Sequence, residues 1–386
     1  MNGQEIYFNL NPVNFLIVSG ILQIFIVSAV LFFRKDDQLH AGKLLAITLF
    51  IVGLHLTNLM LLDLNLDNMY PFLLWLPYSY LTAIGPLIFF YTKSRTENRF
   101  KISSKAWIHF VPVIIEWLLQ VVQIIFSVKQ DVIYYNTPTD FIISPIIYIS
   151  AAISIFYYLK RSLAVIKNHE IWVLKNFSNV KEVTLAWLYK LIAYYRILWM
   201  LWIPVVIIFL LLFRFQLQYL GLVIIIYGLI LSITYLTYWI GLEGLRRTNF
   251  IYITRRRLPS ENKSYTNLSE KEIKSHIAKV KQLMNDEKLY LNEHLNLRDF
   301  ADKAAADPNL ISYILNTHLH KNFYEFVNSY RIEEVKKKMN DPKYAHLKLM
   351  AIAYECGFNS KATFNRVFLK MEGVSPTAYK NRQSRL

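Results

Sequence analysis

The chain has 386 residues, of which 54% are apolar and 15% aromatic, and 43 Lys+Arg against 27 Asp+Glu give a net charge of +16. One cysteine excludes a disulfide scaffold and a cysteine-based zinc site, and 11 glycines with 12 prolines exclude collagen-like and low-complexity chains. The averages conceal a split: residues 1–257 hold 22 Lys/Arg and 12 Asp/Glu, mostly between long apolar runs, whereas residues 258–386 hold 21 and 15 and read as a soluble domain, so a single soluble globule is excluded.

Seven apolar runs follow one another in the first part: Phe15–Phe33, Leu44–Leu62, Phe72–Tyr91, Trp107–Val128, Phe141–Leu159, Ile197–Phe213 and Tyr219–Ile240. A helix rises about 1.5 Å per residue, so about 20 such residues cross a hydrocarbon core of about 30 Å. Lipid offers backbone amides no partner, so these runs are expected as helices. The first run lacks a basic flank before it and a small-residue cleavage site after it, which sets it apart from a cleavable signal.

Basic residues orient the bundle. The loops after runs one, three, five and seven carry twenty Lys/Arg, from Arg34 to Arg257, against two, Lys129 and Arg214, in the N-terminal segment and the other three loops. The positive-inside rule then places the N-terminus outside and the C-terminal part in the cytoplasm, as a multi-pass protein. The long loop Lys160–Arg196, with Trp172 and Trp187, is expected as an amphipathic helix in the interface.

Polar residues within the runs fall on helical faces. Glu116, Gln120 and Gln123 are spaced i, i+4, i+7, and His55 and Asn58 share a face of the second run. An intramembrane carboxylate is costly, about 2.5–3.5 kcal/mol on insertion scales, so these five residues are candidates for sensing an unknown small-molecule or membrane signal. Hydrogen bonds that merely join helices are the other reading. No H-E-x-x-H, no G-x-S-x-G and no nucleophile–base pair stands in this part; no catalytic residue, metal site or cofactor is expected.

A polar linker, residues 241–267, leads into the last domain, 268–386. Ser269 and Glu272 form a capping-box pattern ahead of Ile273, Ile277, Val280, Leu283 and Met284 at helical spacing. A helix is expected over Leu297–Ala306. Asp307-Pro308 opens the next, with Leu310, Ile311, Ile314 and Leu315 inward. A longer helix covers Phe323–Asn340, with Phe326, Val327, Tyr330 and Val335 on its apolar face, and Asp341-Pro342 stops it. Leu349–Cys356, a Gly357 turn and Ser360–Met371 follow, and Gly373 and Ser375-Pro376 introduce a short last helix through Tyr379. The result is two helix-turn-helix units joined by one long helix.

Within Ile352–Arg382, the residues Gly357, Phe358, Ser360, Phe364, Arg366, Phe368, Gly373, Ser375, Pro376 and Tyr379 stand in a fixed register. That register resembles the signature of the AraC-type (AraC/XylS family) transcription regulators, and Asn322–Lys338 resembles the linker helix of that family. The resemblance covers about residues 290–383; His320 stands where a glycine is common, Ala362 replaces a common serine and Leu369 a common lysine. With the apolar part, the chain looks like a membrane-anchored variety of the family. The resemblance implies double-stranded DNA as partner, and it allows RNA polymerase and a second copy of the chain as further partners.

The fold class is therefore all-α: a seven-span bundle, residues 1–240, followed by a cytoplasmic double helix-turn-helix domain. The 364/368 spacing puts both rings on one face, and Asn359, Lys361, Thr363 and Asn365 are expected outward. Beside them Ser360 and Arg366 complete the candidate DNA contacts of the second unit, and Asn309, Ser312, Tyr313 and Asn316 are those of the first. Arg366 reads equally as a phosphate or guanine contact and as a brace within the domain. His318 and His320 lack partners at ligand spacing, and Cys356 reads as a core thiol. A seven-span receptor or transporter whose tail docks a protein partner is the alternative. A fragment starting near Ser264 is expected to fold without the apolar part.

Overall fold

The computed structural model describes residues 11–34, 39–64, 66, 70, 79–97, 100–129, 138–180, 184–214, 220–246, 265 and 268–383. Every regular element among them is helical, apart from one isolated bridge between Phe177 and Asn296. The chain divides into two compact units. The first comprises residues 1–166 and 186–249, the second 167–185 and 250–386.

The first unit is built on α1 (Pro12–Phe33), α2 (Leu39–Asp63), α3 (Leu81–Thr96), a 3-10 turn (Ser104–Phe110) running into α4 (Val111–Lys129), and most of α5 (Pro138–Asn176), with α6 (Ala186–Arg214) and α7 (Leu220–Arg246). Each of the seven apolar runs meets a helix. Five stretches among the described residues are long and apolar enough to cross a membrane: Pro12–Phe33, Ala41–Asp63, Ser104–Phe126, Ile142–Asn176 and Tyr227–Arg246. Part of the third run and the first residue of the seventh lie outside the described residues, as does most of the linker; its first six residues continue α7 instead of forming a loop.

Small residues and local caps shape this unit. Asn11 caps α1, its side chain accepting from the Asn14 amide, and Pro12 occupies the first turn, where a missing N–H is harmless. Gly85 lets α3 approach α5: a Cβ there would fall 2.9 Å from the Ser154 carbonyl. Outward faces carry large apolar side chains, among them Phe15, Ile26, Phe33, Ile142 and Ile153, each more than 60% exposed.

The expected interfacial helix over Lys160–Arg196 is replaced by a different arrangement. Helix α5 runs uninterrupted to Asn176, and the residues after it belong to the second unit. No helix-breaking residue stands between Leu159 and Asn176 to end α5 where its apolar run ends.

The second unit follows the expected order closely. Its helices are α8 (Glu270–Asn285), α9 (Leu297–Lys303), α10 (Pro308–Thr317), α11 (Phe323–Asn340), α12 (Leu349–Glu355), α13 (Lys361–Glu372) and α14 (Pro376–Gln383). Caps explain the starts. The Ser269–Glu272 box is formed reciprocally, Asp307 caps α10 with Pro308 behind it, and Ser360 caps α13. A second capping box, Asn322 with Glu325, opens α11.

Two cores flank α11. The first gathers Val280, Leu283 and Met284 of α8, Leu297, Phe300 and Ala301 of α9, Ile311 and Leu315 of α10, and Phe323, Phe326 and Val327. The second gathers Ile332 and Val335 with Ile352, Ala353, Cys356, Phe358, Phe364, Val367 and Phe368. To this second core residues Val173, Phe177 and Val180 contribute from the far side of the sequence. A fragment beginning near Ser264, which the sequence led one to expect to fold by itself, therefore omits three core side chains of this unit.

Helix α9 ends at Lys303, three residues short of the expected Ala306, because Ala305 turns to φ 52. His320 likewise adopts φ 52 at the end of the first unit's second helix, where the resemblance leads one to expect glycine. A left-handed residue with a Cβ costs about 1–2 kcal/mol. His320 is exposed. His320→Gly is thus expected to raise stability, by about 1 kcal/mol, as a higher midpoint in thermal unfolding of the full chain; an unchanged or lower midpoint would show the turn to be unstrained.

Candidate nucleic-acid interface

In each helix-turn-helix unit a short helix leads through a tight turn into the helix that carries the candidate contacts. In the second unit that turn is Gly357, at φ 87. A Cβ there would press on the Tyr290 carbonyl and fall 2.9 Å from Nε of Arg331, so only glycine satisfies both the dihedral and the space. Phe358, Phe364 and Phe368 then stack as a column, ring centroids 5.3 and 5.7 Å apart, and Phe368 meets Tyr379 of α14 at 5.4 Å.

This packing fixes which residues of α13 face away from the core. Lys361, Asn365 and Arg366 are exposed, as expected. Thr363 and Ser360 are not: each is 5% exposed. The Ser360 hydroxyl accepts from the Thr363 amide at 3.2 Å and donates to the Thr363 hydroxyl at 2.9 Å. Thr363 stands four residues before the buried Val367 and shares its face, which is the reason the outward placement fails. Asn359 is half-buried, and its Oδ1 is enclosed with no hydrogen-bond partner among the described residues.

Arg366 donates from Nη2 to the Tyr324 hydroxyl of α11 at 3.2 Å, so the brace is real, although the side chain is also exposed. Further braces join α11 to the second unit. Lys336 meets Glu372 at 3.1 Å and Lys338 meets Glu355 at 2.8 Å, while Lys370 reaches Glu325 at 2.7 Å. Two of the three lysines in Lys336–Lys338 thus hold the domain together.

On α10 of the first unit, Asn316 is exposed and donates to the carbonyl and hydroxyl of Ser312 at 2.7 and 3.2 Å. Asn309, Ser312 and Tyr313 are half-buried. The Asn309 amide donates to the capping Asp307 carboxylate at 2.8 Å. Tyr313 lies between the rings of Tyr265 and His318, at 5.9 and 5.6 Å. The four residues fall within one helix.

A group that the sequence reading passed over sits at the centre of the domain. Arg331 of α11 is 1% exposed, and Asn328, one turn earlier, is fully buried. The guanidinium donates from Nε to the Tyr290 carbonyl at 2.7 Å and from Nη2 to the Asn292 carbonyl at 2.7 Å and the Ser178 hydroxyl at 3.1 Å. Burial pulls it down to about 10, so it stays charged at neutral pH. Within Asn322–Lys338 the only signal was an arginine on an otherwise apolar face, spaced four residues from Val327 and Val335.

In the first unit, the face of Glu116 is drawn into hydrogen bonds. Its carboxylate accepts from the amides of Leu81 and Thr82 at 2.9 and 3.0 Å and from the Ser79 hydroxyl at 3.0 Å. It caps α3, whose own capping residue, Tyr80, supplies no side-chain bond. Gln120 exchanges bonds with the Ser79 backbone, and Gln123 donates to Ser144 at 3.1 Å. His55 is buried beside Tyr148, ring centroids 6.4 Å apart, and lines a pocket with Leu56, Leu81, Tyr195 and Trp199; its Nδ1 has no partner among the described residues. Asn58 is half-buried on the same helix. Among the described residues no three His, Cys, Asp or Glu side chains group to hold a metal.

A family model described as a helix-turn-helix domain matches residues 300–382. No curated protein and no solved structure matches the chain. The C-terminal unit carries an AraC-type helix-turn-helix domain over these residues, which supports DNA binding in transcription regulation as the role of that unit.

Proposed function

We propose that this AraC-type domain is the output of a membrane-embedded one-component regulator, with the apolar unit as anchor and sensor. The observation that carries the reading is the pair of helix-turn-helix units on one rigid helix, α11, of 18 residues. Such a helix is about 27 Å long, commensurate with two recognition helices entering major grooves about 34 Å apart. Lys361 and Asn365 on α13, with Asn316 on α10, are the side chains assigned to base edges. Arg366 and the half-buried Asn309, Ser312, Tyr313 and Asn359 complete the surface, while Ser360 and Thr363 act by capping α13. Regulation by this route is not enzymatic.

The full chain, reconstituted in lipid nanodiscs, is expected to bind duplex DNA with an affinity that falls steeply as salt rises, because phosphate contacts release counterions. Lys361→Ala or Asn365→Ala should reshape the preferred sequence, with about 1–3 kcal/mol lost at the base concerned, and leave helical content intact. Selection of bound sequences from a random pool reads this directly. A folded chain that binds no DNA at low salt, or binds every sequence alike, would return the tail to the role of a docking site for a protein partner.

Membrane anchoring rests on the five long apolar helices, the apolar side chains on their outer faces and the asymmetry of twenty basic loop residues against two. In this reading the N-terminus is outside and the DNA-binding unit in the cytoplasm of a bacterial inner membrane. A reporter active only in the cytoplasm is expected to work when fused after Lys101 or Arg257 and to be silent after Asp63 or Asp140. An active Asp63 fusion would overturn the orientation. The signal is assigned to the buried surroundings of His55, Asn58 and the Glu116 face; RNA polymerase and a second copy of the chain are the partners such a regulator would meet.

A further inference from the structure

The second unit is not continuous in sequence. Residues 167–185, which follow the apolar part of α5, count with the DNA-binding unit. Three kinds of contact hold them there. Phe177 and Asn296 form a short antiparallel bridge, and the Ser178 amide and hydroxyl both donate to the Leu295 carbonyl, at 3.2 and 2.6 Å. Asn328 donates to the Ser178 carbonyl at 3.0 Å, and Arg331 reaches both the carbonyl and the hydroxyl of the same serine. Val173, Phe177 and Val180 enter the core of the second helix-turn-helix.

Arg331 makes these contacts converge. Its other acceptors, the carbonyls of Tyr290 and Asn292, belong to the segment leading into the first helix-turn-helix. On its other side lie Gly357 and the ring of Phe358, 5.8 Å from the guanidinium carbon, which open the second. One residue of the linker helix is thus in contact with both DNA-binding units and with Ser178. A buried donor or acceptor deprived of its partner costs about 1–3 kcal/mol, more when charged. Undocking Ser178 exposes that penalty at Arg331 and Asn328 together.

We propose that residues 176–180 are a positioning strap, through which α5 holds the two recognition helices at the spacing that DNA requires. The inference rests on the DNA-binding reading above. Helix α5, Pro138–Asn176, ends directly at the strap. By linkage, DNA that selects the strapped arrangement must in turn tighten the strap.

Cys356, the single cysteine, reports on this. It is fully buried in the same core cluster as Phe177 and Val180, and burial pushes its thiol up to about 12. The test uses the full chain in nanodiscs, with Phe177–Val180 replaced by Gly-Ser-Gly-Ser. Two DNA fragments are compared, one with both selected half-sites and one with a single half-site, and maleimide labelling of Cys356 is timed with and without DNA. The expected result is at least tenfold weaker binding to the double site, binding to the single half-site kept within about twofold, and slower labelling of the parent chain when DNA is bound. Loss of affinity for both fragments alike would reduce the strap to a stabilising contact, and parental affinity for both would remove it altogether; either overturns the proposal. Labelling of the parent that DNA leaves unchanged overturns it too. If the replaced chain does not fold, Ser178→Ala, which removes only the bridging hydroxyl, takes its place and should weaken the double site alone, by about two- to fivefold. A parent chain that binds neither fragment would refute the DNA-binding reading instead, and the strap's role in spacing with it.

Discussion

Phe364→Ala is expected to unfold the second helix-turn-helix and abolish DNA binding. The side chain is fully buried, and its ring lies between those of Phe358 and Phe368. Truncating a buried phenylalanine costs about 3–5 kcal/mol, a large share of the 5–15 kcal/mol that stabilises a typical domain. The neighbouring Asn365→Ala lies on the exposed face and should leave the fold untouched. Maleimide labelling of Cys356 separates the two, since the thiol opens with the core: labelling accelerates by orders of magnitude in the first variant and stays at the parental rate in the second. Parental labelling and DNA affinity in Phe364→Ala would mean that the aromatic column does not hold this unit together.

A comparable loss is expected from Arg331. Arg331→Ala leaves the carbonyls of Tyr290 and Asn292 without their buried guanidinium donor, takes from the Ser178 carbonyl one of its two donors and opens a cavity as well, for about 4 kcal/mol in all. Arg331→Met fills much of the space but pairs with none of the carbonyls, and about 2–3 kcal/mol of destabilisation should remain. Denaturant unfolding of the full chain, followed at Cys356, measures both. If Arg331→Met matched the parent, packing alone would account for the position and the hydrogen bonds would be dispensable.

The helical order of the last third was legible because local chemistry dictates it. Asp307-Pro308, Ser269 with Glu272, and Gly373 each mark an end through a cap or a dihedral, and none needs tertiary information. The core faces of α10 and α13 followed from their 3- and 4-residue spacing. Thr363 escaped that logic because a small polar residue in the first turn of a helix serves the cap as readily as the surface. The lysines at 336 and 338 escaped it because their carboxylate partners, Glu372 and Glu355, are distant in sequence. The same holds for Glu116: its spacing with Gln120 and Gln123 announced a polar face, but only the fold brings the amides of Leu81 and Thr82 to the carboxylate. Least legible was the strap. Phe177, Ser178 and Val180 carry no motif, and the hydrogen bonds of Ser178 to Leu295 and Asn328 run to partners more than 100 positions away.

That separation orders events during synthesis. The ribosome makes Phe177 and Ser178 before α6 and α7, and Phe364 and Phe368 come last. The core that unites them can close only after the whole apolar unit has been translated. Closure of the second helix-turn-helix core is in this way tied to completion of the unit that precedes it in the chain.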